Sequence, residues 1–300
     1  ATTIWGTSSS WTLTALPLFV WMGEILFRTK LSENLFAGLS PWMQKLPGGL
    51  IHVNVVGCAL FAAISGSSAA TVATVGKMSI PELRKRKYPE KILLGSLAGS
   101  GTLGLLIPPS IILIIYGVTV QESIAKLFIA GIIPGIMIAL IFMSYVIIWS
   151  LINKKSMPKY VESFTFLEKV KKSKQLLPVI ILISAVIGSI YTGVATATEA
   201  ASLGVVGSLI LSYFQKSLTI ETFKQSLLGA TKTSCMIAFI LAGSTFLSLA
   251  MGFTGLPRNL AIWIQNMELS PYVLIFVLMI FYIILGMFLD GISAVVLTMA

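Results

Sequence analysis

Of the 300 residues, 56% are hydrophobic and 11% charged, and the mean hydropathy is +0.93. A soluble domain carries about 25% charged residues, so this chain cannot cover a water-facing surface, and a soluble globular or a disordered protein is excluded. The net charge of +10 marks topology rather than nucleic-acid binding, because 13 of the 21 Lys and Arg residues fall within 77–91 and 153–175.

A helix needs about 20 apolar residues to cross a hydrocarbon core about 30 Å thick. In chain order, 11–27 is the first such span. Residues 50–64 are apolar but are followed by Ser65-Gly66-Ser67-Ser68 and a short run from Ala69 to Val75, which predicts a re-entrant hairpin over 50–76. Arg28, Lys30 and Lys45 precede it, and Lys77, Arg84, Lys85, Arg86, Lys87 and Lys91 follow. Both flanks therefore belong in the cytoplasm, and the segment between them returns without crossing. Residues 92–117 form a span interrupted by Gly99-Ser100-Gly101-Thr102-Leu103-Gly104 and Pro108-Pro109-Ser110. After a turn at Gln121-Glu122, 124–152 leads back to the basic cytoplasmic connection 153–175. Spans 176–193 and 195–214 end at Lys216, and 217–232 reads as a weakly amphipathic stretch on the inner surface. Span 233–253 then leads out, 256–269 lies on the outer face, and a second hairpin over 271–300 dips in with its tip at Gly286-Met287-Phe288-Leu289-Asp290-Gly291.

A shift of 220 aligns Phe19 with Phe239, Gly23 with Gly243, Val53 with Val273, Phe61 with Phe281 and Gly66 with Gly286. The order span, amphipathic helix, apolar arm, glycine tip recurs with opposite direction. The expected fold is an all-α polytopic membrane protein of the inverted-repeat, ion-transporter type, with re-entrant hairpins and broken helices. Its repeats are 1–152 and 176–300, joined by 153–175, with a binding site near the midplane. Starting at Ala1 and stopping within an apolar run, the sequence reads as an internal segment of a longer protein.

Backbone at membrane depth must be satisfied by protein, water or ligand. Ser65, Gly66, Ser67 and Ser68, with Thr71 beyond, offer hydroxyl and carbonyl oxygens, hard ligands suited to an alkali cation. Helix ends meeting at the tip would hold an anion and a cation together. Pro108 and Pro109 lack amide donors and break their span beside Gly104 and Ser110, freeing carbonyls. Asp290, the lone aspartate, is an ion ligand, a helix cap or an outer-interface residue. Glu199 reads as a capping partner of Thr196 or Thr198, and His52, the single histidine, as an interfacial anchor.

Enzymes fail on inventory. One aspartate cannot form an aspartyl dyad, and neither HExxH nor a Walker loop is present. His52 lies too far along its arm to share a proton with Ser65, Ser67 or Ser68. Cys58 and Cys235 give no disulfide framework or metal spacing. An ion channel, normally a ring of identical subunits, and a non-transporting scaffold subunit are the alternatives to a transporter.

The runs Pro17-Leu18-Phe19-Val20-Trp21-Met22-Gly23-Glu24, Leu46-Pro47-Gly48-Gly49-Leu50, Ala63 to Ala73, Gly101-Thr102-Leu103-Gly104 through Ile107-Pro108-Pro109-Ser110, Thr198-Glu199-Ala200-Ala201 and Gly286 to Asp290 together resemble one family. That family is the large membrane subunit of tripartite ATP-independent periplasmic (TRAP) transporters, of the dicarboxylate and sialic-acid type. The likeness covers nearly the whole chain and departs at Ala197, where it leads one to expect proline. It implies a sodium-driven carboxylate importer of the bacterial inner membrane that works by an elevator motion and uses sodium as coupling ion without another cofactor. Implied partners are a small four-span membrane subunit and a soluble periplasmic solute-binding protein. The tip at Ser65–Ser68 and the break at Pro108-Pro109 would build one sodium site, and Gly286 to Asp290 would contribute to a second. The family's second broken helix would follow residue 300.

Overall fold

The computed structural model describes residues 11–29, 31–158 and 164–299, and among them every regular element is a helix. The buried core gathers around α1 (Ala15–Phe27), whose Phe19, Met22, Ile25 and Leu26 are almost fully enclosed. Small residues let its neighbours approach, as in other membrane bundles. Gly23 of α1 faces the backbone of Ser65, Gly204 of α10 (Ala197–Phe214) faces Met22, and Gly229 of α11 (Ile220–Thr254) faces Glu24. Polar bonds fix the last pair: Trp21 Nε1 donates to Ser226 Oγ at 3.3 Å, and Arg28 pairs with Glu24 at 3.1 Å and donates to the Gln225 carbonyl at 3.1 Å.

Two helices joined by a tight reversal, α3 (Ile51–Ser65) and α4 (Ser68–Lys85), occupy the region of the expected first hairpin. The chain reverses at Gly66, whose φ of +58° suits a residue without a Cβ, and at Ser67, whose hydroxyl caps α4 by accepting from Ala70 N. Halfway back, Gly57 of α3 meets Val75 of α4. At the base the Leu50 amide donates to the Tyr88 hydroxyl at 3.1 Å, tying the start of α3 to the turn after α4. The second arm is longer than its apolar run. It stays helical through Pro81 to Lys85, so Lys77, Arg84 and Lys85 belong to the helix rather than to a loop beginning at 77.

The next span is broken where the sequence places the break. Helix α5 (Glu90–Gly101) passes into a 3-10 turn over Thr102–Leu105, and α6 (Ile111–Thr119) begins after the prolines. A long α7 (Ile124–Ile152) follows. The amphipathic α8 (Phe166–Ser173) lies along α2 (Leu31–Met43), where Trp42 Nε1 donates to Ser173 Oγ at 2.8 Å and the Lys169 ammonium sits 5.2 Å from the Trp42 ring centre. Residues 166–173 of the connection therefore pack beside the end of α2, just before the hairpin. Helix α9 (Leu177–Tyr191) leaves α8 at 54°.

One expectation fails. The stretch 217–232 is not a separate surface helix: from Ile220 onward it is the first part of α11, which runs unbroken for 35 residues. Thr219 caps it, its hydroxyl accepting from Thr222 N at 3.0 Å, and no proline interrupts it before left-handed Gly255. At 1.5 Å per residue it is about 50 Å long. α12 (Leu256–Gln265), α13 (Pro271–Gly286) and α14 (Gly291–Met299) complete the order. Thus α1–α2–α3–tip–α4 is followed later by α11–α12–α13–tip–α14.

Candidate functional site

The first tip is the best enclosed polar site. Ser65 and Thr71 are buried, and their hydroxyls lie 2.9 Å apart. The Ser67 carbonyl accepts from the Thr71 hydroxyl at 2.7 Å and from the Ser65 hydroxyl at 3.2 Å, while the Ser67 amide donates back to Ser65 Oγ at 3.3 Å. These local bonds replace the ladder that the reversal removes. The Ser68 hydroxyl oxygen is buried with no partner among the described residues.

The tip is seated in the broken span. A Cβ on Gly66 would stand 3.0 Å from both the Pro109 carbonyl oxygen and the Ile111 amide, and one on Gly104 would stand 3.2 Å from the Ser67 carbonyl carbon. A Cβ on Gly101 would collide with the Val72 side chain. Glycine is favoured at 66 by conformation and contact together, while a side chain at 101 would need Val72 to move and one at 104 would need the tip backbone to give by a few tenths of an ångström. Ser110 is fully buried and donates to the Leu105 carbonyl at 2.7 Å, bridging the break. The structure therefore brings Ser65, Gly66, Ser67, Ser68, Gly104, Pro108, Pro109 and Ser110 into one cluster. Helix α3 ends there while α4 and α6 begin, so partial charges of both signs face one small volume.

The second tip is arranged differently. Nothing lies within 4 Å of a Cβ on Gly286 among the described residues, and Asp290 is exposed. The Asp290 carboxylate caps α14, accepting from Ile292 N at 3.2 Å and Ser293 N at 3.4 Å. The neighbouring Gly291 packs on Leu105 and Ile112, so both tips rest on the segment 105–112. Ser244 of α11 secures α14 by donating to the Val296 carbonyl at 2.7 Å.

Glu199 forms the capping box with Thr196, accepting from its amide and hydroxyl at 2.8 Å each. His52 departs from its expected place. It is fully buried rather than anchored at an interface, and its Nε2 donates to the Pro47 carbonyl at 2.8 Å. The left-handed glycines 48 and 49 turn the chain back over the imidazole. Sequence reading also passed over Asn54, which ties the hairpin to the broken span through bonds to the Leu93 carbonyl at 3.2 Å and Ser96 Oγ at 3.0 Å. The available signal was a lone amide within an apolar arm, which demands a partner.

Among the described residues no group of three or more His, Cys, Asp or Glu could hold a metal ion. Helices α7, α10 and α11 are long and apolar enough to cross a membrane. With the shorter apolar helices beside them they mark a multi-pass membrane protein. The chain belongs to the family of the DctM component of tripartite ATP-independent periplasmic transporters, whose model matches residues 1–300. It is 32% identical to the C4-dicarboxylate TRAP transporter large permease of Pseudomonas aeruginosa, covering 98% of this chain and 68% of that protein. It is 30% identical to the sialic acid TRAP transporter large permease of Vibrio cholerae, covering 97% and 68%. To the isethionate TRAP transporter permease DctMQ of Oleidesulfovibrio alaskensis it is 31% identical, covering 96% and 45%. This chain is thus a multi-pass inner-membrane transport component, not an enzyme.

Proposed function

We propose that this chain carries the transport path of a sodium-driven importer of small organic acids. The seating of the Ser65–Ser68 tip in the Gly101–Ile111 break carries the reading. Hydroxyl and carbonyl oxygens converge there at the junction of three helix ends, a setting for a cation beside an organic anion. Sodium held by the tip oxygens would order the unwound backbone, leaving the positive ends of α4 and α6 to receive the acid group. Gly286 to Asp290 would supply part of a second site.

The basic segments at 45, 84–87, 154–155 and 169–174 support a cytoplasmic hairpin base, with α3 and α4 entering and returning without crossing. Helix α11 carries the chain to the far side, and α13–α14 then approach the same midplane from outside. This gives two inverted repeats, 1–152 and 176–300, which move as an elevator against a small four-span membrane subunit. A periplasmic solute-binding protein delivers the substrate. The relatives named for C4-dicarboxylate, sialic acid and isethionate share an anionic acid group, carboxylate in two and sulfonate in the third, and that group is the common substrate chemistry.

The test is uptake of a panel of organic acids by the assembled transporter with sodium varied. Ser67→Ala and Ser68→Ala are expected to raise the sodium concentration needed for half-maximal uptake while leaving expression unchanged. Unchanged sodium dependence in both would overturn the site. Currents without accumulation would point to a channel.

A further inference from the structure

A cavity of about 500 Å³ lies at the base of the first hairpin, away from the tip. Three separate basic stretches close around it: the end of α2 with its following turn (Gln44, Lys45, Gly48, Gly49), the α4–α5 turn (Arg86, Tyr88), and the tail after α7 (Met157). Two of its donors, on Gln44 and Tyr88, have no acceptor among the described residues. Gln44 is 6% exposed, and its amide nitrogen is buried without a hydrogen-bond partner among the described residues. An orphan of that kind costs about 1–3 kcal/mol. The Tyr88 oxygen accepts from the Leu50 amide, which leaves its own proton to be donated. Lys45 is exposed at the rim, and Arg86, paired through Nε with Glu82 at 3.0 Å, adds a second cation. Left-handed Gly48 and Gly49 shape the wall, because a Cβ on Gly49 would strike the Tyr88 hydroxyl.

We infer that this cavity binds a phosphate group, with Gln44 Nε2 and the Tyr88 hydroxyl donating to its oxygens and Lys45 offsetting its charge. A buried amide donor, a free phenolic proton and a lysine on one concave surface match an oxyanion with several acceptors. The group could reach this site from an anionic lipid headgroup or from solution. On the topology above the site opens at the cytoplasmic surface, where both sources exist.

The test uses the full-length transporter, stripped of lipid and titrated with dioleoylphosphatidylglycerol, dioleoylphosphatidylcholine or inorganic phosphate. Bound lipid is read by native mass spectrometry and phosphate by the rise in unfolding temperature. Lys45→Gln is expected to weaken binding about fivefold, and Gln44→Met, similar in volume, should weaken it at least as much. Lys232→Gln, the same charge change far from the cavity, should leave it intact. Phosphatidylglycerol bound in preference to phosphatidylcholine and not displaced by phosphate identifies the lipid source. Phosphate binding lost in both cavity variants identifies the soluble one. Binding that is equal in wild type and both cavity variants, indifferent to headgroup charge, or absent altogether overturns the site.

Discussion

The two hairpin tips are built from similar sequence, and the described residues enclose them to different extents. At the first, Gly66 is pressed between the backbone of Pro109 and Ile111, and Ser65, Ser67 and Thr71 bond to one another in a buried cluster. At the second, among the described residues, Gly286 has no neighbour within 4 Å of an added Cβ, Asp290 bonds only to its own helix, and no residue of α13 is buried. A glycine between apolar arms predicts a reversal equally well in both places. What separates them is the surface that receives the tip. The first has a broken helix with glycines at 101 and 104 where the tip must dock. The second meets that segment through Gly291, against Leu105 and Ile112. Hydroxyl and carbonyl oxygens are held by mutual hydrogen bonds at the first tip, whereas among the described residues the second shows a helix cap.

Alanine at the two tip glycines breaks or confirms this contrast most sharply. Gly66→Ala must hold a Cβ in left-handed backbone, at about 1–2 kcal/mol, and must also displace backbone atoms 3.0 Å away. We expect a clearly lowered unfolding temperature and loss of uptake. Gly286→Ala meets no neighbour and ends a regular helix, so stability should hold or rise by up to about 1 kcal/mol. Equal effects at the two positions would mean that the second tip is enclosed as tightly as the first.

The next pair compares polar groups. Thr71→Val removes a buried hydroxyl that bonds to Ser65 and to the Ser67 carbonyl; we expect about 1–3 kcal/mol of destabilisation, read as thermal unfolding of the purified transporter. Asp290→Ala should cost about 1 kcal/mol through the lost cap, and Asp290→Asn should restore it. If Asp290→Asn restores stability but leaves sodium dependence weakened, the carboxylate charge acts on the cation as well as on α14.

Much of this was legible in the sequence because membrane segments announce themselves by length. The broken span follows from Pro108-Pro109, and the first hairpin from a serine-glycine tip between basic flanks. Capping at Glu199 follows from the Thr-x-x-Glu spacing. Two features were hidden for a common reason. The polar stretch Ile220–Lys232 resembles a surface helix, yet helical hydrogen bonds continue through it wherever no proline or left-handed residue stops them. His52 resembles an interfacial anchor until the turn at Gly48-Gly49 folds over it and the Pro47 carbonyl receives its proton. Local polarity gives preferred surroundings, but only long-range packing decides whether a polar group meets water or a protein partner. The docking of Gly66 on Pro109 belongs to the same class, since no local pattern pairs residues so far apart in sequence.

The smallest expected change in stability is the most informative about function. The Ser68 hydroxyl is buried without a partner among the described residues, whereas the Ser65 and Thr71 hydroxyls are bonded to each other. Removing an unsatisfied hydroxyl relieves its desolvation and leaves no orphan behind, so Ser68→Ala should unfold within about 0.5 kcal/mol of wild type, unlike Thr71→Val. If that oxygen instead completes its bonding on a bound cation, its loss must show in sodium titrations. The expected result is therefore a split, with an unchanged unfolding temperature in sodium-free buffer and a smaller rise when sodium is added. A variant that loses stability without sodium would show that Ser68 is bonded within the protein. A variant with the full sodium-induced rise would show that the cation is held without Ser68, by the remaining oxygens of the tip and the break.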